Sequence, residues 1–269
     1  MLDVIVANAP VYLLIAGRCF ALVMTLPLFS LRTVPRIAKV AFAGYLAYLM
    51  IPHVDFSSYA PYLADGAFSL HFVLLLAGEV LLGIITGFYV TIIFAAFSTA
   101  GQFFAFQMGF SASEVYDALS QVENPLMGQF FNLIAMLMFL QNHWAQRVFS
   151  QALASSFASV SAFSVVAGNG RIASFLLGGL SKLFVDAFVI ALPIMGSLLL
   201  INVAMGMLSK ASPMMNMMSE GFPTMILVAF FIIMALLPNI CEFFLHSFES
   251  AFVQLERLFV AIASAGRST

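Results

Sequence analysis

Charged side chains are scarce in this chain, at 8% of 269 residues, with 10 Lys plus Arg against 12 Asp plus Glu. A soluble domain carries nearer a quarter. With a net charge of −2 and no basic stripe to neutralise phosphates, the chain is not expected to bind nucleic acid. Cysteine is equally rare. Cys19 and Cys241 stand in separate apolar segments without CxxC or Cys/His spacing, which argues against a disulfide framework or a zinc site and for free buried thiols. An HExxH helix, a phosphate loop ending in Lys-Ser/Thr and a GxSxG elbow are all missing, so neither an enzyme nor a cofactor is expected. The opening Met1-Leu2-Asp3 lacks a basic n-region, so the first apolar segment is expected to stay in the protein.

What abounds is apolar surface, at 63% of residues. No soluble core of this length hides so much, so lipid or a protein partner must cover it. Val80 to Ser113 runs 34 residues without Asp, Glu, Lys or Arg, where about 20 already span a bilayer. Charge-free stretches recur at Asn124 to Gln146 (apolar over Leu126 to Leu140), Ala187 to Ser209 and Gly221 to Cys241. Shorter segments lie at Val11 to Leu31, around Arg18, and at Val40 to Ile51. None alternates apolar with polar residues as barrel strands do, so the expected fold is all-α, a polytopic membrane protein of one domain over residues 1–269. Phe149 to Gly170 carries six serines and reads equally as a packed helix or a loop. Glu242, Glu249 and Glu256 fall seven apart among Phe and Leu, which marks Glu242 to Ala265 as an amphipathic helix.

Arg32, Arg36 and Lys39 form the only basic cluster, which the positive-inside rule puts in the cytoplasm. The connection Pro52 to His71 has Asp55 and Asp65 but no Lys or Arg, and Glu114, Asp117 and Glu123 make a second acidic connection. If both are external, Phe72 to Met108 must cross an even number of times. Those residues supply only about 56 Å of helix, so a helical hairpin lodged at half depth is expected there, beside protein or a water-filled cavity.

Glu79, Gly83 and Gly87 fall at i, i+4 and i+8 on one helical face, a spacing that lets helices approach closely. An intramembrane Glu79 or Arg18 is costly unless paired or wetted. Lys182 and Asp186, at i and i+4, can satisfy each other. His53, His71, His143 and His246 lie near apparent segment ends and read as interfacial. Met214, Met215, Met217 and Met218, with Met205, Met207 and Met225 close by, lack Cys or His neighbours and read as adaptable packing surface rather than a Cu(I) site.

Pro193, Ile201-Asn202 with Gly206, Ser212-Pro213-Met214-Met215-Asn216 and Gly221-Phe222-Pro223 together resemble the signature of the FliR/SctT family. Arg18 with Pro27 and Pro35, the Glu79-Gly83-Gly87 set, and Gly101 with Gln107-Met108-Gly109-Phe110 fit it too, so the resemblance covers nearly the whole chain in order. The departure is Met214 and Met217-Met218, where Gln and Phe are common in the family. The resemblance implies a flagellar type III export gate subunit in the bacterial inner membrane, at the flagellar basal body. Its implied partners are FliP-like and FliQ-like subunits, an FlhB-like subunit, membrane lipid and unfolded substrates in the lumen. It implies bent helical hairpins in a helical multi-subunit gate. It further implies a plug loop here spanning Gly109 to Pro125, with Phe110, Glu114, Tyr116, Asp117 and Glu123. The alternatives are a virulence-secretion SctT paralogue, or a secondary transporter using Glu79 and Arg18, which inverted repeats would favour.

Overall fold

A computed structural model describes residues 9–30, 34–54, 69–109, 126–160, 169–211 and 220–266. Among them, regular structure is helical: α1 (Ala9–Thr25), α2 (Pro27–Ser30), α3 (Arg36–Met50) with a 3₁₀ turn at Ile51–His53, α4 (Leu70–Gln107), α5 (Leu126–Gln141), α6 (Trp144–Arg147), α7 (Leu153–Ser159), α8 (Asn169–Ala211) and α9 (Phe222–Gly266). A π turn at Val148–Ala152 joins α6 to α7. Three of these helices, α4, α8 and α9, are long and apolar enough to cross a membrane.

The hairpin expected between Phe72 and Met108 is not formed. α4 is one helix of 38 residues, and its sequence contains no proline, asparagine or aspartate to turn the chain. Where no water can satisfy a broken backbone, the helix continues. Ser69 Oγ accepts the Phe72 N–H at 3.2 Å at its start. Gly109 ends it at φ 81°, the left-handed conformation that closes helices and that glycine adopts without strain. The two acidic connections therefore join opposite ends of one helix, so a single crossing cannot leave both external.

Fusion also occurs toward the C-terminus. The span read at Ala187 to Ser209 is the second half of a 43-residue α8. Gly221 to Cys241 and the amphipathic Glu242 to Ala265 run together in the 45-residue α9, which leaves His246 mid-helix rather than at an end. Arg36 and Lys39 belong to the first turn of α3 rather than to a loop, and Lys39 is buried. The serine-rich stretch is a π turn and a helix as far as Ser159. There Ser150, Ser155 and Ser156 donate to the carbonyls of Gln146, Ala152 and Leu153 at 2.7–3.0 Å, so their hydroxyls are satisfied within the turn.

The chain divides into two compact units. The first comprises Met1–Ile92, Phe139–Gly179 and Glu249–Thr269. Its core gathers Leu14, Ile15, Cys19 and Leu22 of α1 with Leu75 and Leu82 of α4. Tyr12 donates to the Gly44 carbonyl at 2.9 Å and ties α1 to α3, while Phe29, Phe42 and Phe149 form a triad with centroids 5.1–6.2 Å apart. The second comprises Ile93–Met138 and Leu180–Phe248. Here Phe94 and Phe97 meet Phe244 edge-on at 6.0 and 4.6 Å, a favoured ring geometry. Gly101 faces the Met127 backbone so closely that an added Cβ would lie 2.6 Å from that carbonyl oxygen.

Candidate functional site

In the first unit, α1 carries Arg18 into the interior because every neighbour on its inward face is apolar, and both Arg18 and Glu79 are buried. Arg18 Nε donates to Glu79 Oε2 at 2.6 Å. Nη1 donates to Ser156 Oγ at 3.1 Å and Nη2 to the Val160 carbonyl at 3.0 Å. The Phe157 ring lies 4.2 Å from Cζ, a cation–π contact. One guanidinium thus joins α1, α4 and the C-terminal end of α7, where a positive charge also meets the negative end of the helix dipole.

The glycines of α4 bring α1 near enough for this pairing. A Cβ at Gly83 would overlap the Arg18 carbonyl and lie 2.8 Å from Ala21 Cβ; at Gly87 it would overlap the Thr25 hydroxyl and lie 2.9 Å from Thr25 Cβ. Thr91 Oγ1 donates to the Thr25 carbonyl at 2.8 Å, one turn farther on. Close packing and charge pairing therefore occupy the same helix face.

The second unit holds a smaller polar cluster. Lys182 Nζ donates to Asp186 Oδ2 at 2.7 Å and to Ser247 Oγ at 3.0 Å, while Ser247 Oγ donates to Asp186 Oδ2 at 2.8 Å. Lys182 is 32% exposed and Asp186 13%. The i,i+4 pair was visible in the sequence. Ser247, distant in the chain and closing the triangle from α9, was not, nor were Ser156 and Val160; no local pattern marks any of the three.

The remaining sequence-derived positions are dispersed. Asn202 and Gly206 lie on α8, and a Cβ at Gly206 would meet nothing within 4 Å. Gly221 is buried, and Phe222 and Pro223 open α9, where a proline costs no hydrogen bond. Pro213 and Asn216, with the methionines around them, lie outside the described residues, as do Phe110, Glu114, Tyr116, Asp117, Glu123 and Pro125. Of the plug stretch, only Gly109 is described. Cys19 and Cys241 are free thiols, and no group of three metal-ligating side chains occurs among the described residues.

A model of the family described as bacterial export proteins, family 1, matches residues 9–251. The chain belongs to this family. Flagellar biosynthetic protein FliR of Bacillus subtilis is 31% identical to this export protein over 223 residues, covering 82% of this chain and 83% of the relative. FliR of Escherichia coli is 28% identical over 235 residues, covering 87% of each. Surface presentation of antigens protein SpaR of Shigella flexneri is 29% identical over 163 residues, 61% of this chain and 62% of SpaR. The residues that the family model matches, 9–251, include both the Arg18 and the Lys182 clusters.

Proposed function

We propose that this chain is a subunit of the flagellar type III export gate, resident in the bacterial inner membrane at the flagellar basal body. The observation that carries the reading is the family match across residues 9–251. The flagellar branch is favoured because the FliR relatives align over 172–250 residues, most of them over 218 or more, against 163 for SpaR. In this reading the chain joins FliP-like and FliQ-like subunits, with an FlhB-like subunit nearby, as one gate domain around a path for unfolded substrates. The large apolar area left uncovered on α8 and α9 supports such an assembly.

Gly109 to Pro125 is the proposed plug. Its support is positional: α4 ends at Gly109 in a left-handed turn and α5 begins at Leu126, so the stretch is a helix-to-helix connection without Lys or Arg. In this proposal it blocks the lumen at rest, with Phe110 and Tyr116 in apolar pockets and Glu114 and Asp117 facing water or backbone amides. Removing the gene should abolish export of rod and hook subunits while membrane integrity is kept; intact export would overturn the gate reading. Shortening the loop by several residues should leave the complex assembled and raise its ion conductance in planar bilayers. An assembled complex with unchanged conductance would refute the plug alone.

A further inference from the structure

Within the second unit, α8 and α9 border an open groove walled by Val189, Ile190, Pro193, Leu236, Ile240 and Phe243. Val189 is 49% exposed. Asn239 stands in the groove, exposed, with no side-chain hydrogen bond among the described residues. On the same two helices lies the Lys182–Asp186–Ser247 triangle, with hydrogen-bonding capacity left over. Lys182 has three N–H donors and spends two; Asp186 accepts twice at Oδ2, and no bond reaches Oδ1 among the described residues. Both helices are long and apolar enough to lie in a membrane, where unsatisfied polar groups on a lipid-facing surface are expensive.

We infer that this groove is the docking site for an apolar transmembrane helix of a partner subunit that carries neutral hydrogen-bonding side chains, an amide foremost. Acyl chains satisfy none of the three polar groups. An anionic headgroup would meet Lys182 but also the Asp186 carboxylate beside it. The lysine and aspartate already neutralise each other, so a charged side chain would enter uncompensated. An amide both donates, to Asp186 Oδ1 or the Asn239 oxygen, and accepts, from Lys182 or the Asn239 NH₂. The apolar walls select a dry, helix-shaped occupant over water. This deepens the gate reading and rests on it, since the partner is another subunit of that assembly.

The test uses the full chain in living cells, with the photoreactive residue p-benzoylphenylalanine placed at Val189. The expected result is one discrete protein adduct whose cross-linked peptide is an apolar transmembrane segment bearing Asn, Gln, Ser or Thr. Absence of any protein adduct (a lipid-facing groove), adducts with exported soluble substrates (a lumen-facing one), or a peptide bearing only apolar or charged residues would each overturn it. Asn239→Leu leaves the triangle intact and should lower the yield of assembled complex about three- to twentyfold, the range of single interhelical hydrogen bonds; unchanged yield would count against the inference. Flagellar export is scored in the same cells. Normal, gene-dependent export with no adduct sinks the groove and leaves the gate reading standing, whereas export that ignores this gene sinks the gate reading independently of the adduct.

Discussion

At the scale of single residues, Arg18 is the most consequential side chain in the first unit. Pairing it with Glu79 in the interior does not guarantee net stability, because desolvation of two charges offsets much of their attraction. Breaking the pair is another matter. Arg18→Met or Glu79→Ala leaves one buried charge alone and should cost about 3–5 kcal/mol. The double variant Arg18→Met/Glu79→Leu should cost less than either single one. Thermal unfolding of the co-expressed, assembled complex in detergent, run as a double-mutant cycle, checks both; additive losses would show that the two residues do not act as a pair. Gly87→Ala should also destabilise the α1–α4 contact, since its Cβ meets Thr25, whereas Gly206→Ala, on an open surface, should be neutral or slightly stabilising by helix propensity. Comparing the melting points of these two alanine variants tests whether close approach, rather than glycine itself, matters.

Among the elements, α4 is the one whose course the local sequence left ambiguous. Its length suits neither one ordinary crossing nor two, and a hairpin reconciles that length with acidic connections at both ends. The hairpin fails because nothing between Leu70 and Gln107 offers the backbone an alternative to its own helical hydrogen bonds, and because its glycines serve packing against α1 and α5 instead of a turn. Spin labels at Leu70 and Phe106, both strongly exposed, should therefore report a separation of about 54 Å, the rise of an uninterrupted helix. A separation under about 20 Å would restore the hairpin. In α9, by contrast, the seven-residue spacing of Glu242, Glu249 and Glu256 did identify an outward face, and all three are exposed; only the continuity with the apolar half before it escaped local reading.

For the whole molecule, the governing fact is how little of its longest helices the chain covers by itself. The most apolar window of α4 is 67% buried, but those of α8 and α9 are only 33% and 22% buried, so among the three membrane-length helices the last two are the least covered. Purified without partners in mild detergent, the chain should be polydisperse or aggregated on size exclusion, and co-expression with FliP-like and FliQ-like subunits should convert it to a single species. A folded, monodisperse monomer would contradict obligate assembly.

Helical membrane character and the Lys182–Asp186 pair were legible in the sequence. Each depends on composition or on spacing within one helix, where 3.6 residues per turn converts sequence separation directly into distance, and the family was legible through motifs that follow one another in order along the chain. The partners of Arg18 were not legible. Glu79 lies 61 residues away and Ser156 138 residues away; the close approach permitted by Gly83 and Gly87 brings the carboxylate to the guanidinium, while the hydroxyl comes from the separate helix α7. The same holds for Ser247 beside Lys182. In an apolar chain almost any helix face could pack against another, so hydrophobic patterning specifies that helices form, while steric fit and the need to satisfy a few buried polar atoms decide which of them meet.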